Sequence, residues 1–293
     1  MAAVADRVQD LDPRYATLAV ALQLVTLGLR ALAWRGVLAA AYPETRLPVF
    51  PLACAYTAGV ALNAFLPARG GEAAKVALAR AQIPGSSVPT IAGSLSVILL
   101  LDAILGAALM AVLWASGLLP EPPPLPSVPR GAFVPLLVGV GVLVTVLLGF
   151  AARGLAAALR RTLTSATRGL VIVRSPATLL RTVLPFQLAA WAARVGVVYF
   201  VLASFRIDAS LQAAILLTVL SGAAIPVPGG AGSQQVFATY ALQGAISTAA
   251  AVSFSISMQL GVTLVNSVVG LLGAMLLLRT RRPLAALRTA RER

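Results

Sequence analysis

The stretch VPTIAGSLSVILLLDAILGAALMAVLWASG, residues 88–117, carries one charge, Asp102, among apolar and small residues. A helix of about 20 residues spans the hydrocarbon core of a bilayer, so this run is long enough to cross one. Working outward, runs of similar length lie at 15–34, 133–152, 179–203 and 252–278. Two shorter runs end in Pro and Gly. Residues 49–66 lead into Pro67-Ala-Arg-Gly-Gly, and residues 210–225 lead into Pro226-Val-Pro-Gly-Gly-Ala-Gly. Each is followed by a less apolar helical stretch, 72–82 and 234–250. The composition agrees: 59% of the 293 residues are hydrophobic and 11% are charged, too few to clothe a soluble domain, which is nearer a quarter charged. The expected fold is all-α, a polytopic transmembrane helix bundle forming one domain over 1–293, with five to eight membrane segments. Re-entrant hairpins at Pro67 and Pro228 are the alternative to full crossings there.

Charge placement supplies orientation. The net charge of +14 would suggest nucleic acid in a soluble protein. In this composition it reads instead as topology information and attraction to anionic headgroups, with no nucleic-acid partner expected. Six arginines fall between Arg153 and Arg181 and six more between Arg279 and Arg293. Both segments are therefore expected on the cytoplasmic side of a bacterial inner (cytoplasmic) membrane. In segment terms, 1–14 is an N-terminal tail, 153–178 a cytoplasmic amphipathic loop and 279–293 a basic cytoplasmic tail. Within the loop, Leu155, Leu159, Leu163, Ala166 and Leu170 share one helical face and Arg160, Thr164 and Arg168 the other, a pattern suited to the leaflet surface. Eight crossings would put the N-terminus inside. Five crossings with two hairpins would put it outside, and the basic residues of the first half do not choose between them. The first apolar run is full length, contains Arg30 and lacks a cleavage site, so no signal peptide is expected.

Chemistry is limited by what is missing. The chain has no histidine and one cysteine, Cys54, so neither a thiolate metal site nor a histidine base is available. Of nine carboxylates, Asp6, Asp10, Asp12, Glu121 and Glu292 fall in tails or a Pro-rich loop. No metal, no cofactor and no catalytic constellation is expected, and the chain reads as a non-enzyme.

The remaining charges are conspicuous. In Leu62-Asn-Ala-Phe-Leu-Pro-Ala-Arg-Gly-Gly-Glu-Ala-Ala-Lys75, the incoming helix must stop at Pro67, and Gly70 and Gly71 permit a tight backbone before a new helix near Glu72. Free N–H groups at that helix start, with Arg69 beside them, suit a phosphate oxygen. Glu72 favours the helix dipole and could receive a headgroup amine. Pairing of Arg69 and Glu72 with each other, or with Arg30 or Arg194, is the structural alternative. Asp102 could exchange a proton or bind a cationic headgroup, or simply pair with Arg194. Arg30 and Arg194 could snorkel to the interface, and Trp34, Trp191, Tyr56 and Tyr199 read as anchors or packing residues. Gly229-Gly-Ala-Gly232 lacks the strand and acidic residue of a dinucleotide site, so no nucleotide site is expected there.

These residues resemble a family signature. Asn63, Leu66-Pro67-Ala68-Arg69, Gly71-Glu72 and Lys75, with the later Pro226-Val-Pro228-Gly229-Gly230-Ala-Gly232-Ser-Gln-Gln, are similar to the lysylphosphatidylglycerol synthase transmembrane domain family of flippase-like membrane proteins. Asp102 fits the family's intramembrane aspartate. Gln234 and Gln235 stand where the family usually has a glutamate, and Ile98 and Leu99 where it often has an acidic-basic pair. The resemblance implies a transporter moving a phospholipid or lipid-linked phosphate between leaflets. Its headgroup site would draw on Asn63, Pro67, Arg69, Gly70, Gly71, Glu72, Lys75, Asp102 and Arg194. The facing gate would be Pro226, Pro228, Gly229, Gly230, Gly232 and Gln235. Partners are membrane lipids, anionic phospholipid or lipid-phosphate, together with an enzyme that makes the cargo. Fifteen residues follow Leu278, so no synthase domain is expected. The alternative is a membrane enzyme or accessory subunit acting on a polyprenyl-phosphate-linked or aminoacylated lipid.

Overall fold

The structure, a computed structural model, describes residues 11–66, 70–120, 172, 175–208, 210–223 and 232–280. Among these residues the elements are α1 (Pro13–Ala41), α2 (Val49–Leu62), α3 (Gly70–Arg80), α4 (Val88–Ala115), α5 (Pro176–Thr182), α6 (Leu184–Ser204), α7 (Leu211–Ala223), α8 (Ser233–Ala241) and α9 (Thr248–Thr280). Helices α1, α4, α6 and α9 are long and apolar enough to cross a membrane, while α2 and α7 are shorter apolar helices. The chain is thus a polytopic helical membrane protein. The span expected at 133–152, most of the 153–178 loop, nearly all of the two tails, and the turn residues Pro67, Arg69, Pro226, Pro228, Gly229 and Gly230 lie outside the described residues.

Local sequence explains the helix ends. Asp12 caps α1 by accepting from the Arg14 N–H at 2.9 Å, with Pro13 in the first turn where no N–H is missed. Ser87 caps α4 in the same way, ahead of Pro89. Two boundaries differ from the sequence reading. The run at 179–203 is broken at Val183, because Pro185 has no N–H to continue the ladder and its ring crowds the preceding turn. The stretch 234–250 stops at Ala241 and turns at Gly244, whose φ of 85° suits glycine, before α9 starts.

Packing resolves the path of the chain. Helices α1 and α6 run antiparallel along each other: the Asp12 N–H bonds the Ser204 carbonyl at 3.0 Å at one end, and Gly36 meets Thr182 and Val183 at the other. Helix α3 folds back along α2. Gly59 faces Gly71 and Lys75 so closely that a Cβ on Gly59 would sit 2.7 Å from the Gly71 carbonyl oxygen. Tyr42, just after α1, accepts through its hydroxyl from the Ser87 N–H at 3.1 Å, so the chain enters α2 and leaves α3 at one end of the bundle. At 14 and 11 residues, α2 and α3 are each shorter than the roughly 20 residues a full crossing takes.

The second half repeats the plan upside down. Helix α7 packs on α8, and Tyr240 on α8 donates to the Pro120 carbonyl beyond α4 at 2.9 Å, which places the α8 exit at the same end as the Ser204 end of α6. Each hairpin also packs on the long helix that closes the other half, α2 on α9 and α7 on α4. At the first of these contacts Gly270 and Gly273 let the backbones touch. A Cβ on Gly270 would lie 2.6 Å from the Thr57 carbonyl oxygen, and one on Gly273 2.7 Å from the Thr57 hydroxyl. Small residues are how helices approach closely where lipid removes the hydrophobic driving force. Outward positions such as Ile104, Trp114, Leu264 and Leu271 are exposed and apolar, as a lipid-facing surface requires.

Candidate functional site

Arg30 lies in the middle of α1, and its guanidinium turns inward. It forms an ion pair with Asp102 of α4 through Nη2, adds a second contact from Nη1 to Oδ1 at 3.3 Å, and donates through Nε to the Tyr56 hydroxyl at 2.9 Å. Asp102 also accepts from Gln187 Nε2 at 2.5 Å and Trp191 Nε1 at 3.0 Å, both on α6. One carboxylate thus ties together α1, α4 and α6, with α2 attached through Tyr56. Arg30 does not snorkel, and the partner of Asp102 is Arg30 rather than Arg194.

A second charged pair sits at the first hairpin. Glu72, in the opening turn of α3, accepts through Oε1 from Lys75 Nζ at 2.8 Å and from Asn63 Nδ2 at 3.1 Å. Lys75 is buried, with its ammonium 4.4 Å from the centre of the Tyr56 ring. The Asn63 carbonyl oxygen is buried beside Gly71 and has no partner among the described residues.

Between these pairs lies a polar cavity of about 800 Å³, bounded by both hairpins and by α1, α6 and α9. Its volume falls within the range of about 300–1,000 Å³ usual for ligand sites. Arg30, Lys75, Arg194 and Glu72 supply charge; Gln23, Thr218, Ser221, Gln234 and Gln259 supply neutral polar groups. Gln23 donates to Asn266 at 2.8 Å, bridging α1 and α9. Arg194 is held differently from Arg30. Its guanidinium lies 5.7 Å from the Trp191 ring centre, and among the described residues it has no hydrogen bond or ion pair. A separate apolar cavity of about 460 Å³, between α4, α6 and α7, shares Trp191.

The expected site residues are therefore partly assembled. Asn63, Glu72, Lys75 and Arg194 all line the cavity. Gly70 and Gly71 start α3, and Gly71 is pressed against Gly59 and Asn63. Asp102 stands behind Arg30 instead of at the cavity wall. On the facing side Gly232, with φ of 94°, begins α8, and the Gln235 side-chain oxygen accepts from its N–H at 2.7 Å. Pro67, Arg69, Pro226, Pro228, Gly229 and Gly230 fall outside the described residues. Among the described residues no cluster of three His, Cys, Asp or Glu side chains could hold a metal ion.

Sequence reasoning missed Gln23, Gln259, Thr263 and Asn266. The signal was present: Gln23 precedes Arg30 by two helical turns, and 259, 263 and 266 share a face of α9. Trp34, Trp191 and Tyr56 are buried, not interfacial. Trp34 bonds Ser94 at 2.9 Å, Trp191 bonds Asp102 and Tyr56 bonds Arg30, while Tyr199 is exposed.

No curated protein and no solved structure matches this chain. The family model described as lysylphosphatidylglycerol synthase TM region matches residues 1–283, nearly the whole length, and the chain belongs to that family.

Proposed function

We propose that the protein is a flippase-like transporter, moving a phospholipid or lipid-linked phosphate between the leaflets of a bacterial cytoplasmic membrane, with its C-terminus in the cytoplasm. The observation that carries this reading is the open cavity, with charged and polar side chains in its wall, between two oppositely oriented halves of an apolar bundle. Ionisable side chains within membrane helices cost several kcal/mol and are retained where they line a path or a site. A lipid headgroup meets the same penalty in hydrocarbon, and a polar cavity lowers it while the acyl chains stay in the bilayer. Paired, interrupted segments in opposed repeats are the arrangement in which transporters bind cargo.

In this reading Arg194 meets the phosphate from α6; the expected contribution of Arg69 falls outside the described residues, and Gly70 and Gly71 start α3 behind the wall. Asn63, Glu72 and Lys75 shape the wall, and Gln235 of α8 lines the facing side, where the gate is proposed. The Arg30–Asp102 pair holds the wall in place. A partner enzyme makes the cargo.

Reconstituting the full chain in liposomes with fluorescent lipids tests the proposal. Leaflet exchange above that of empty vesicles, and slower in Arg194→Ala and Glu72→Gln than in the parent chain, is the expected result. Exchange no faster than in empty vesicles across a broad lipid panel would sink it. A chemically altered lipid would favour an enzyme instead.

A further inference from the structure

We propose that the cavity selects a headgroup with a single negative phosphodiester charge and no ammonium group, and that Arg194 is the residue that makes this choice. The inference rests on the transport reading above and narrows its cargo.

Charge accounting inside the bundle carries it. Among the described residues Glu72 and Asp102 are the two carboxylates within the membrane part. Glu44 and Asp208 lie in the turns after α1 and α6, and Asp12 caps α1. Both inner carboxylates are occupied, Glu72 by Lys75 and Asn63, Asp102 by Arg30, Gln187 and Trp191. Three cations line the cavity, Arg30, Lys75 and Arg194. Two are matched and Arg194 is left over. Arg69, outside the described residues, is basic and brings no negative charge to offset it.

The surplus guanidinium has the face of Trp191 on one side and Gly222 on another, where even a Cβ would stay 4.0 Å from Nη1. A cation removed from bulk water without a counter-charge is unfavourable, and an indole face compensates only part of that. A phosphodiester supplies one negative charge and two free oxygens, the geometry a guanidinium fork takes best. A zwitterionic or aminoacylated headgroup would also bring an ammonium, and because Glu72 and Asp102 each already face one basic side chain, that ammonium would be a further surplus positive charge. Rejection of amine-bearing headgroups follows from the same unpaired charge that attracts the phosphate.

The full chain is reconstituted in phosphatidylcholine vesicles holding trace phosphatidylglycerol or phosphatidylethanolamine labelled on an acyl chain, and exchange is read by dithionite quenching. Phosphatidylglycerol is expected to exchange faster by about tenfold or more, with the preference lost in Arg194→Gln and retained in Arg194→Lys. In Gln235→Glu the carboxylate can still accept from the Gly232 N–H, so the helix cap survives while a negative charge joins the cavity. That variant should lose the preference without losing stability. Equal exchange of both lipids above empty vesicles overturns this inference and leaves transport standing.

Should neither these two lipids nor any other of the broad panel exchange, the transport reading fails, and the lipids retained through purification decide the present one. Phosphatidylglycerol held over phosphatidylethanolamine by the parent chain, but not by Arg194→Gln, supports it; equal retention overturns it. Displacement of the retained lipid by inorganic phosphate would assign the cavity to a free anion and overturn the headgroup assignment.

Discussion

Asp102→Ala is expected to destabilise the fold by about 3 kcal/mol, the low end of the cost of breaking a buried ion pair. The substitution leaves the Arg30 guanidinium without its counter-charge and removes the acceptor for Gln187 Nε2 and the Trp191 N–H. The Gln187 carbonyl oxygen is already buried without a partner among the described residues, so that side chain would lose its one direct hydrogen bond. The penalty stays at the low end because Arg30 keeps the Tyr56 hydroxyl and also lines the cavity. Combining Asp102→Ala with Arg30→Ala should cost less than the sum of the two single changes, because the second removes a charge the first has orphaned. Unfolding in detergent micelles, followed by circular dichroism, reads all three. A single-variant loss below about 1 kcal/mol would contradict the role of this cluster as the joint between helices.

Ser221→Trp is expected to reduce leaflet exchange by about tenfold or more while leaving the fold intact, since every 1.4 kcal/mol added to a barrier is a factor of ten. Ser221 is half-buried on α7 and faces the cavity, in the helical turn that also carries Thr218 and Gly222. An indole there intrudes into cavity space rather than into packed side chains, so overpacking should be small. It also places an apolar wedge beside Arg194, on the route a headgroup would take. The checks are dithionite quenching for exchange and thermal unfolding for the fold. A plugged variant that exchanges as fast as the parent chain would place the headgroup path elsewhere.

Much of this architecture could be read from residue order because the bilayer imposes strong constraints. Runs of about 20 apolar residues have few uses other than crossing it, and Pro67 and Pro228 interrupt two runs at matching places in the halves. The charges at Arg69, Glu72, Asp102 and Arg194 stood out because so few exist; Glu72 and Arg194 line the cavity, Asp102 stands behind Arg30, and Arg69 lies outside the described residues. Which charges pair was not legible. Asp102 meets Arg30 and not Arg194 because α4 packs against α1 in the first half, a tertiary fact that periodicity within one helix does not encode. Gln23, Gln259 and Asn266 escaped because an uncharged amide barely changes the mean hydropathy of a run. Their helical spacing, not their composition, was the clue. The break at Val183 was hidden for a related reason: Pro185 is apolar in composition yet ends a helix through its backbone.

The central claim is that a headgroup passes through the cavity between the two halves. It is tested most directly with a phosphatidylglycerol analogue bearing a photoreactive group on its headgroup, cross-linked to the full chain in vesicles and mapped by mass spectrometry of the peptides. The account predicts cross-links on the cavity faces of α1, α6, α7 and α9, at or beside Arg30, Arg194, Ser221 and Gln259. Cross-links confined to the outward apolar surface, at positions such as Ile104, Trp114, Leu264 and Leu271, would contradict it.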